Sequence, residues 1–290
     1  MSAVIMDGKS LGMKIRLSLK EKTELLQKKG ITPCLAVILV GDNPASVSYV
    51  KSKEKALAEA GMKSRDIRLP AETQENELLS IINDINNEKN THGILVQMPL
   101  PKHINEENII NAINPDKDVD CFHPVSVGNM VLGRTGFLPC TPRGVLLLLR
   151  EYNIPLSGSN VVIVGRSNLV GKPLLNLLIR KEYNSTVNLC HTGTRDLSYH
   201  TQQADVLIAA VGAPVLIKPE MVKDGAVVID VGINRVTDTS FPKGYRLCGD
   251  VDEAVIEKAS FFSPVPGGVG PMTIAMLLQN VLEAAERNIK

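Results

Sequence analysis

Short apolar runs rich in Val and Ile alternate with longer amphipathic segments through most of the chain, and this alternation constrains the fold more than any other feature. The short runs, bounded by Gly, Pro or Asn, have the composition of strands buried on both faces. The longer segments repeat their apolar residues with helical spacing. Alternating strands and helices form a parallel sheet covered by helices, so the sequence predicts an α/β fold.

The first half of the chain contains two strand-like runs and three helix-length segments. The predicted strands are residues 34–40 and 93–97, and the predicted helices are residues 45–60, 76–89 and 105–113. A stretch rich in Pro, Gly, Asp and His follows at residues 114–142, and we predict that it is a loop crossing between two lobes.

The second half repeats the alternation with shorter elements. The predicted strands are residues 160–164, 186–189, 206–210 and 226–231, and the predicted helices are residues 144–152, 174–180 and 271–288. The 290 residues of the chain suffice for two domains of roughly 150 residues each. We therefore predict a first domain over residues 1–140 and a second over residues 141–270.

The charge balance argues against some classes of partner. The chain has 32 basic and 31 acidic residues and a formal net charge of +1, so no global field attracts nucleic acid or an anionic membrane. No apolar run approaches the roughly 20 residues that a membrane helix needs. Residues 1–16 carry Asp and Lys among their apolar residues and lack a signal-peptide core. We expect a cytoplasmic protein that binds neither nucleic acid nor membrane.

The cysteines and histidines suggest neither a disulfide framework nor a metal site. The chain has five of each, and the cysteines are odd in number, widely spaced and without a C-x-x-C motif. The histidines form no ligand pair at helical spacing. Because disulfide frameworks and zinc sites both have characteristic spacings, we expect no metal.

The sharpest local signal is the segment at residues 160–173, Asn-Val-Val-Ile-Val-Gly-Arg-Ser-Asn-Leu-Val-Gly-Lys-Pro. A buried strand runs there through a glycine-bracketed turn into a helix. Gly165 permits close approach of backbone, and the amides at the helix start suit a pyrophosphate. The spacing is not G-x-G-x-x-G, and similar turns occur in α/β proteins that bind no nucleotide. This motif alone does not distinguish a dinucleotide site from a turn that binds no ligand.

The next predicted strand ends without a carboxylate. NAD-preferring sites usually place an acidic residue there, where it bonds the ribose 2′-hydroxyl. This chain has Cys-His-Thr-Gly-Thr-Arg at residues 190–195 instead. Arg166, Thr192 and Arg195 are able to donate hydrogen bonds to a 2′-phosphate. The pattern favours NADP over NAD, and the alternative is that these are ordinary solvated loop residues, above all Arg195.

Polar residues of the first half fall where open α/β sheets contact their ligands. Tyr49 and Lys53 lie four residues apart on a predicted helix and share one face, which is also the spacing of an ordinary surface pair. Gln97 lies at the carboxyl end of a predicted buried strand. Asp118 and Asp120 lie in the long loop, where aspartates commonly cap turns, and we interpret Asp118 in that way.

Five separated motifs stand out when the chain is considered as a whole. They are Tyr49-Val-Lys-Ser-Lys53, Val96-Gln-Met-Pro-Leu-Pro101, Asp118-Val-Asp120 with His123-Pro124, Gly165-Arg-Ser167 with Val170-Gly171, and Pro264-Val-Pro-Gly-Gly-Val-Gly-Pro-Met-Thr273. In these motifs and their order the chain resembles the bifunctional methylenetetrahydrofolate dehydrogenase/cyclohydrolase family, over essentially its whole length.

The resemblance implies both an architecture and a function. It implies an N-terminal α/β folate lobe, a C-terminal Rossmann-type NADP lobe, a cleft between them, and a last helix at residues 271–290 that returns to the first lobe. The implied enzyme oxidises 5,10-methylenetetrahydrofolate with NADP and hydrolyses the methenyl product to 10-formyltetrahydrofolate. Such an enzyme serves the one-carbon metabolism that supplies purine biosynthesis, and the resemblance implies a homodimer.

By this resemblance Lys53 is the catalytic amine and Gln97 positions it. A lysine transfers protons near neutral pH only if burial or neighbouring groups lower its pKa. Tyr49 stacks on the folate ring, and Asp120 accepts hydrogen bonds from the pterin. The other implied substrate contacts are Met98, Pro266, Gly267, Gly268, Val269 and Gly270, and the implied cofactor contacts are Gly165, Arg166, Ser167, Thr192 and Ile233.

Two positions depart from the family pattern. Cys121 stands where the family more often has glycine, which puts the backbone of the Asp120 loop in question. Thr192 stands where serine is usual, but threonine keeps the hydroxyl group. Neither departure removes a proposed catalytic group.

Three alternatives stay open at this point. One is another two-lobed NADP enzyme, such as a dehydrogenase of a hydroxy or amino acid, which the fold alone does not exclude. The second is a folate enzyme with one of the two activities, and the third is a non-catalytic nucleotide sensor. The joint presence of Tyr49, Lys53, Gln97 and Asp120 favours the folate enzyme, because a dehydrogenase of another substrate does not need these four together.

Overall fold

The computed structural model describes residues 2–241 and 244–287, apart from the side chain of Ala45. The chain divides into two compact units. The six-stranded unit comprises Met1–Gly12 and Thr141–Thr273, and the three-stranded unit comprises Met13–Cys140 and Ile274–Lys290.

Strands and helices alternate in both units. Within the described residues the strands are β1 (Val4–Ile5), β2 (Cys34–Val40), β3 (Lys63–Leu69), β4 (Gly93–Val96), β5 (Asn160–Val164), β6 (Thr186–Cys190), β7 (Val206–Ala209), β8 (Val227–Asp230), β9 (Asn234–Thr237), β10 (Tyr245–Cys248) and β11 (Phe261–Phe262). The α-helices there are α1 (Gly8–Gln27), α2 (Pro44–Glu59), α3 (Glu75–Asn87), α4 (Glu106–Ala112), α5 (Pro124–Val131), α6 (Cys140–Glu151), α7 (Gly171–Leu178), α8 (Leu197–Thr201) and α9 (Val269–Arg287).

The three-stranded unit contains a parallel sheet in the order β3-β2-β4. The central strand β2 is buried along nearly its whole length, and Ile38 lies opposite Ile67 of β3 and Val96 of β4. Leu78, Ile82 and other apolar residues of α3 pack against this sheet. Because β4 ends at Val96, the residue that follows lies at the carboxyl edge of the sheet, where ligands of open α/β sheets bind.

The six-stranded unit contains a sheet in the order β1-β11-β8-β7-β5-β6, with all neighbouring strands parallel. From β5 the chain places β6 on one side and β7 on the other. The strand order therefore reverses at β5, which is the point where sheets of this kind bind nucleotides. A separate antiparallel hairpin is formed by β9 and β10.

The α/β class is confirmed, and the predicted strands agree closely with the structure. The strands predicted at residues 34–40 and 160–164 have the predicted bounds, and the other four differ by one residue at one or both ends. Five of these six strands are apolar runs buried along nearly their whole length, which is why their composition identifies them. The exception is β6, an edge strand on which Thr186 and Asn188 are exposed. The predicted helices are also present, and α6 and α7 begin three or four residues earlier than predicted.

The segment at residues 114–142 is not only a loop, which corrects the prediction. It contains a 3-10 turn at Pro115–Lys117 and the helix α5. Pro124 occupies the start of α5, and the His123 side chain caps the helix by accepting a hydrogen bond from the Val125 amide at 3.0 Å. Proline at the first position and a polar cap before it favour a helix.

The N-terminal residues belong to a different unit from the one predicted. The prediction placed residues 1–140 together, whereas Met1–Gly12 lie with the six-stranded unit. The reason is the pairing of β1 with β11, in which Val4 lies opposite Phe261. At the other end of the chain, α9 continues into the three-stranded unit from Ile274. In the described part of the chain no helix is both long and apolar enough to cross a bilayer.

Candidate functional site

Lys53 is a buried amine on α2. Its side chain turns inward with Tyr49, one helical turn earlier, and the Nζ atom lies 4.7 Å from the centre of the Tyr49 ring. Only 6% of Lys53 is exposed. Burial lowers the pKa of the Lys53 amine from its usual 10.5 and raises the pKa of the Tyr49 phenol. The two residues are therefore not an ordinary surface pair, because such a pair keeps its amine in solvent.

Gln97 holds the Lys53 amine from the end of β4. Its Nε2 atom donates to the Met98 carbonyl at 2.7 Å, and its Oε1 atom accepts from Lys53 Nζ at 3.1 Å. Since the amide nitrogen is already directed at a carbonyl, the oxygen is the atom that faces the amine. The structure thus brings the two predicted catalytic residues into direct contact.

Asp120 completes this cluster from the loop after Pro115–Lys117. Burial raises the pKa of the Asp120 carboxyl, while the positive charge of Lys53 opposes that rise. The negative charge of Asp120 in turn opposes the fall in the Lys53 pKa. Tyr49, Lys53, Gln97 and Asp120 therefore form one electrostatic cluster at the carboxyl edge of the three-stranded sheet.

Two residues that the sequence analysis did not identify support the Asp120 loop. The Cys140 thiol lies 3.4 Å from Asp120 Oδ1, to which it donates. The Asn280 side chain on α9 is fully buried and donates to the Val119 and Leu138 carbonyls at 2.7 and 2.9 Å. The one sign of the Asn280 contact in the sequence was a single Asn within the predominantly apolar segment that forms α9.

Asp118 has the structural role that we assigned to it. Its carboxylate accepts hydrogen bonds from the Phe122 and His123 amides at 3.2 and 2.8 Å, and only 2% of the residue is exposed. These bonds close the turn that follows Asp120, so Asp118 fixes the loop.

The strand-turn-helix after β5 has the close packing of a nucleotide cradle. Gly165 has φ +120°, and a Cβ atom there would overlap the Ala210 carbonyl oxygen. A Cβ atom on Gly171, at the start of α7, would overlap the carbonyl oxygen of Gly165. Only glycine fits at either position, so no side chain projects from the backbone at these two points of the strand end.

The start of α7 suits an anion. The helix has no side-chain hydrogen bond at its N-cap and no acidic residue in its first turn, so its own side chains do not neutralise the positive end of the dipole. Ser167 Oγ accepts from the Val170 amide at 3.1 Å, which leaves its hydroxyl proton to donate. Arg166, Ser167 and Thr192 are all exposed. The donor set therefore fits the phosphates of a dinucleotide.

Ile233 and the contacts predicted at residues 266–270 lie in the six-stranded unit, whereas Met98 follows Gln97 in the three-stranded unit. Ile233 follows β8, is 55% exposed, and lies against Gly270, where a Cβ atom would meet Ile233 Cδ1 at 3.5 Å. Gly267 has φ +117°, and a Cβ atom on Gly268 would lie 2.7 Å from the Pro264 carbonyl oxygen. The segment at residues 264–270 therefore exposes backbone that a ligand is able to approach closely.

No group of three or more His, Cys, Asp or Glu side chains that could hold a metal ion occurs among residues 2–241 and 244–287. The polar groups at both sites are amines, amides, hydroxyls, isolated carboxylates and backbone.

Comparison with known proteins agrees with this geometry. A family model described as the catalytic domain of tetrahydrofolate dehydrogenase/cyclohydrolase matches residues 6–120, and one described as the NAD(P)-binding domain matches residues 139–289. The chain belongs to the tetrahydrofolate dehydrogenase/cyclohydrolase family. The bifunctional protein FolD of Exiguobacterium sibiricum is 55% identical over 285 residues, which cover 98% of this chain and 100% of the relative.

Solved structures of the family have the same fold. The bifunctional FolD enzyme of Campylobacter jejuni is 51% identical, with a TM-score of 0.94 and 99% coverage of both chains. The methylenetetrahydrofolate dehydrogenase-cyclohydrolase of Trypanosoma brucei, solved with NADP and an inhibitor, is 37% identical, with a TM-score of 0.96. It covers 100% of this chain and 99% of its own.

In this member of the tetrahydrofolate dehydrogenase/cyclohydrolase family, the residue after Asp120 has a left-handed backbone conformation. Cys121 has φ +62°, a left-handed conformation that glycine adopts without cost and that costs other residues about 1–2 kcal/mol. The residue is buried, and its thiol donates to the Phe137 carbonyl at 3.2 Å. Burial and this hydrogen bond are contacts that oppose the cost of the backbone conformation at Cys121.

Proposed function

We propose that Lys53 is the catalytic amine of an NADP-dependent methylenetetrahydrofolate dehydrogenase and methenyltetrahydrofolate cyclohydrolase. The observation that carries this proposal is the contact of the buried Lys53 amine with Gln97, next to the Asp120 loop. A lowered pKa increases the fraction of the amine that is neutral at a given pH, and only the neutral form accepts a proton. Gln97 fixes the position of the Nζ atom and supplies no competing charge.

In hydrolysis, water adds to the carbon that bridges two nitrogens of the methenyl substrate. Lys53 Nζ accepts a proton from this water as the hydroxyl adduct forms. The bond between the carbon and one nitrogen then breaks, the hydroxyl of the adduct becomes the formyl carbonyl, and its proton passes to the released nitrogen, while the other nitrogen keeps the formyl group. Asp120 accepts hydrogen bonds from the pterin, and Tyr49 stacks on the aromatic part of the folate. Together they hold the bridging carbon at the amine, and such positioning accounts for a large share of the catalytic effect.

NADP, when bound, accepts hydride from the methylene carbon of the folate. Gly165 and the start of α7 would hold its pyrophosphate, and Ile233 would contact its nicotinamide ring. Arg166, Ser167 and Thr192 would donate to the 2′-phosphate. The exposed guanidinium of Arg166 is the strongest of these donors, because charge-assisted bonds to phosphate are about twice as strong as neutral ones.

An absorbance time course tests both activities. Purified protein is mixed with 5,10-methylenetetrahydrofolate and either NADP or NAD, and both the reduced cofactor and the methenyl intermediate are followed. We expect reduction of NADP, much less reduction of NAD, and little build-up of methenyl. Full stoichiometric accumulation of methenyl would leave the dehydrogenase and remove the hydrolytic role of Lys53. Cofactor binding without reduction would favour a nucleotide sensor.

We also propose that the enzyme is a homodimer in the cytoplasm. The edge strands β1 and β6 each have one neighbour in the six-stranded sheet, and Val4 and Ile5 on β1 are exposed, which supports pairing with a second copy. All five cysteines are free thiols, as expected in a reducing compartment. Light scattering after gel filtration tests the dimer, and cell fractionation tests the location.

A further inference from the structure

Two fully buried aspartates lie at the carboxyl edge of the six-stranded sheet, and neither has a role in the reaction described above. Asp230 is the last residue of β8, and Asp250 follows β10 after one glycine. Their exposed fractions are 1% and 0%. Burial of a carboxylate costs free energy unless hydrogen bonds satisfy its oxygens. The hydrogen bonds of these two carboxylates therefore indicate what the pair does at the carboxyl edge of the sheet.

The Asp230 carboxylate is bound by three backbone amides. Oδ1 accepts from the Gly232 and Asp250 amides, both at 3.0 Å, and Oδ2 accepts from the Val251 amide at 2.9 Å. Burial still raises the pKa of Asp230 to about 6 against the effect of these donors. One side chain thus ties the loop after β8 to the segment after β10.

The Asp250 carboxylate binds two further loops. Oδ2 accepts from the Val211 and Gly212 amides at 2.6 and 2.9 Å, directly after β7. Oδ1 accepts from the Asn234 side-chain amide at 2.9 Å. The two carboxylates therefore accept six hydrogen bonds from the described residues and connect the chain segments that follow β7, β8 and β10.

Two glycines make this approach possible, and they are arranged reciprocally. A Cβ atom on Gly232, two residues after Asp230, would overlap the Asp250 carboxylate. A Cβ atom on Gly249, just before Asp250, would overlap the Asp230 carboxylate. Each aspartate therefore lies against the glycine of the other segment, and the sequence carries the pattern as Asp-Val-Gly at 230–232 and Gly-Asp-Val at 249–251.

We propose that Asp230 and Asp250 are positioning residues for the cofactor. They hold the residues on both sides of Ile233, because Asp230 accepts from the Gly232 amide and Asp250 from the Asn234 side chain. Asp250 also fixes the chain next to Ala210, the residue on which Gly165 packs. The pair sets the spacing between the nicotinamide contact and the pyrophosphate turn. This inference rests on the proposed function, in which NADP binds at this edge.

Asp250→Asn tests the proposal through a change in cofactor affinity. Asparagine has one acceptor oxygen, so either the two loop amides or the Asn234 amide loses its partner. We expect the Kd for NADPH, measured by fluorescence, to rise about tenfold, as loss of a charge-assisted hydrogen bond predicts. The proposed catalytic residues of hydrolysis, Lys53 and Gln97, lie in the three-stranded unit, so we expect the rate of hydrolysis of supplied methenyltetrahydrofolate to stay within about twofold.

The double variant Asp250→Asn with Asn234→Asp separates positioning from general damage. The exchange reverses donor and acceptor at the 2.9 Å contact and restores the hydrogen bond. We expect the Kd for NADPH to return to within about threefold of the wild-type value. Asn234→Ala removes only one hydrogen-bond donor to Asp250, so we expect it to raise the Kd for NADPH by a few fold. This variant tests the proposal if the Asp250→Asn protein does not fold.

Asp205→Asn is the matched control. Asp205 also accepts a backbone amide, that of Asn160 at 2.9 Å, but it lies at the opposite edge of the same sheet. We expect its Kd for NADPH to be unchanged. An Asp250→Asn protein with wild-type affinity, or a double variant no better than the single one, would overturn the proposal. Failure of the wild-type protein to bind NADPH would instead overturn the proposed function.

Discussion

In the three-stranded unit the buried ionisable groups at the sheet edge have few partners, whereas in the six-stranded unit they have a full set. The Lys53 ammonium, with three protons, makes one hydrogen bond within the described residues, to Gln97. The Asp230 and Asp250 carboxylates accept three each. A group that exchanges protons must be able to lose its charge, and a group that holds backbone in place must keep its partners. The contrast separates chemistry from positioning.

Removal of the Lys53 amine is the strongest test of this contrast. In Lys53→Met the side chain keeps most of its length and its unbranched shape but loses its proton acceptor. We therefore expect the kcat of hydrolysis to fall about 10²–10⁴-fold, the usual contribution of a general base. The Kd for NADPH stays within about twofold. Lys51→Met, an exposed lysine on the same helix, is the control and keeps full activity. Equal losses in both variants would contradict the assignment.

A Cβ atom at Gly165 tests the other side of the contrast. In Gly165→Ala the methyl group overlaps the Ala210 carbonyl oxygen, and alanine is strained at the positive φ of this position. Because the overlap and the positive φ together cost about a few kcal/mol of strain, we expect the affinity for NADPH to fall at least about 100-fold. Hydrolysis of supplied methenyltetrahydrofolate continues at near the wild-type rate.

Gly158→Ala distinguishes close packing from backbone conformation. Gly158 also has a positive φ, +78°, but no atom of the described residues lies within 4 Å of the position that a Cβ would occupy. We expect this variant to bind NADPH normally and to lose only about 1 kcal/mol of unfolding free energy. If both glycine variants abolish hydrolysis, the two sites are not energetically separate and the comparison fails.

Cofactor selectivity sharpens the comparison within the six-stranded unit. We expect Arg166→Ala to reduce the preference for NADP over NAD about tenfold, because a charged donor to the 2′-phosphate is lost. Thr192→Val, which removes a neutral donor, reduces it by only a few fold. The measurement is the ratio of kcat/KM values for the two cofactors, with Lys181→Ala as an exposed control cation. Parallel losses for NAD and NADP would place neither residue at the 2′-phosphate.

The smallest expected effect is a displacement of the pH profile of hydrolysis. The neutral Lys53 amine is the active form, so the rate rises with pH through the Lys53 pKa, which burial places below 10.5. The negative charge of Asp120 raises that pKa. In Asp120→Asn we therefore expect the midpoint of the rise, measured at saturating folate, to move to lower pH. Asp116→Asn, an exposed change in the same loop, leaves the midpoint in place.

The sequence predicts every strand that is buried along its length and also the edge strand β6, but it does not predict β1, β3, β9, β10 or β11. β2, β5 and β7 are continuous apolar runs, because both of their faces are buried. β3 reads Lys-Ser-Arg-Asp-Ile-Arg-Leu and is mostly exposed, so it has neither alternation nor an apolar run. Its strand conformation comes from pairing with β2, which no local pattern contains.

The candidate site divides in the same way. Gln97 was singled out because a strand end is a local feature, whereas Tyr49 and Lys53 were assigned to the site by the family resemblance, since their helical spacing alone is also that of a surface pair. Cys140 and Asn280 were not, since their contacts to the Asp120 loop span 20 and more than 150 residues. The pair Asp230 and Asp250 was also missed. Its signal in the sequence was the Asp-Val-Gly and Gly-Asp-Val segments, in which each aspartate has a glycine nearby that leaves room for the carboxylate of the other.

The pairing of β1 with β11 also affects how the protein folds during synthesis. The three-stranded sheet has all its strands once Val96 has been made, and contacts close in sequence form early. Val4, in contrast, has no partner in the sheet until Phe261 leaves the ribosome, which at about 5–20 residues per second takes on the order of tens of seconds. During that interval the exposed apolar residues of β1 are available to chaperones. The six-stranded sheet is therefore completed last by residues that are among the first to be synthesised.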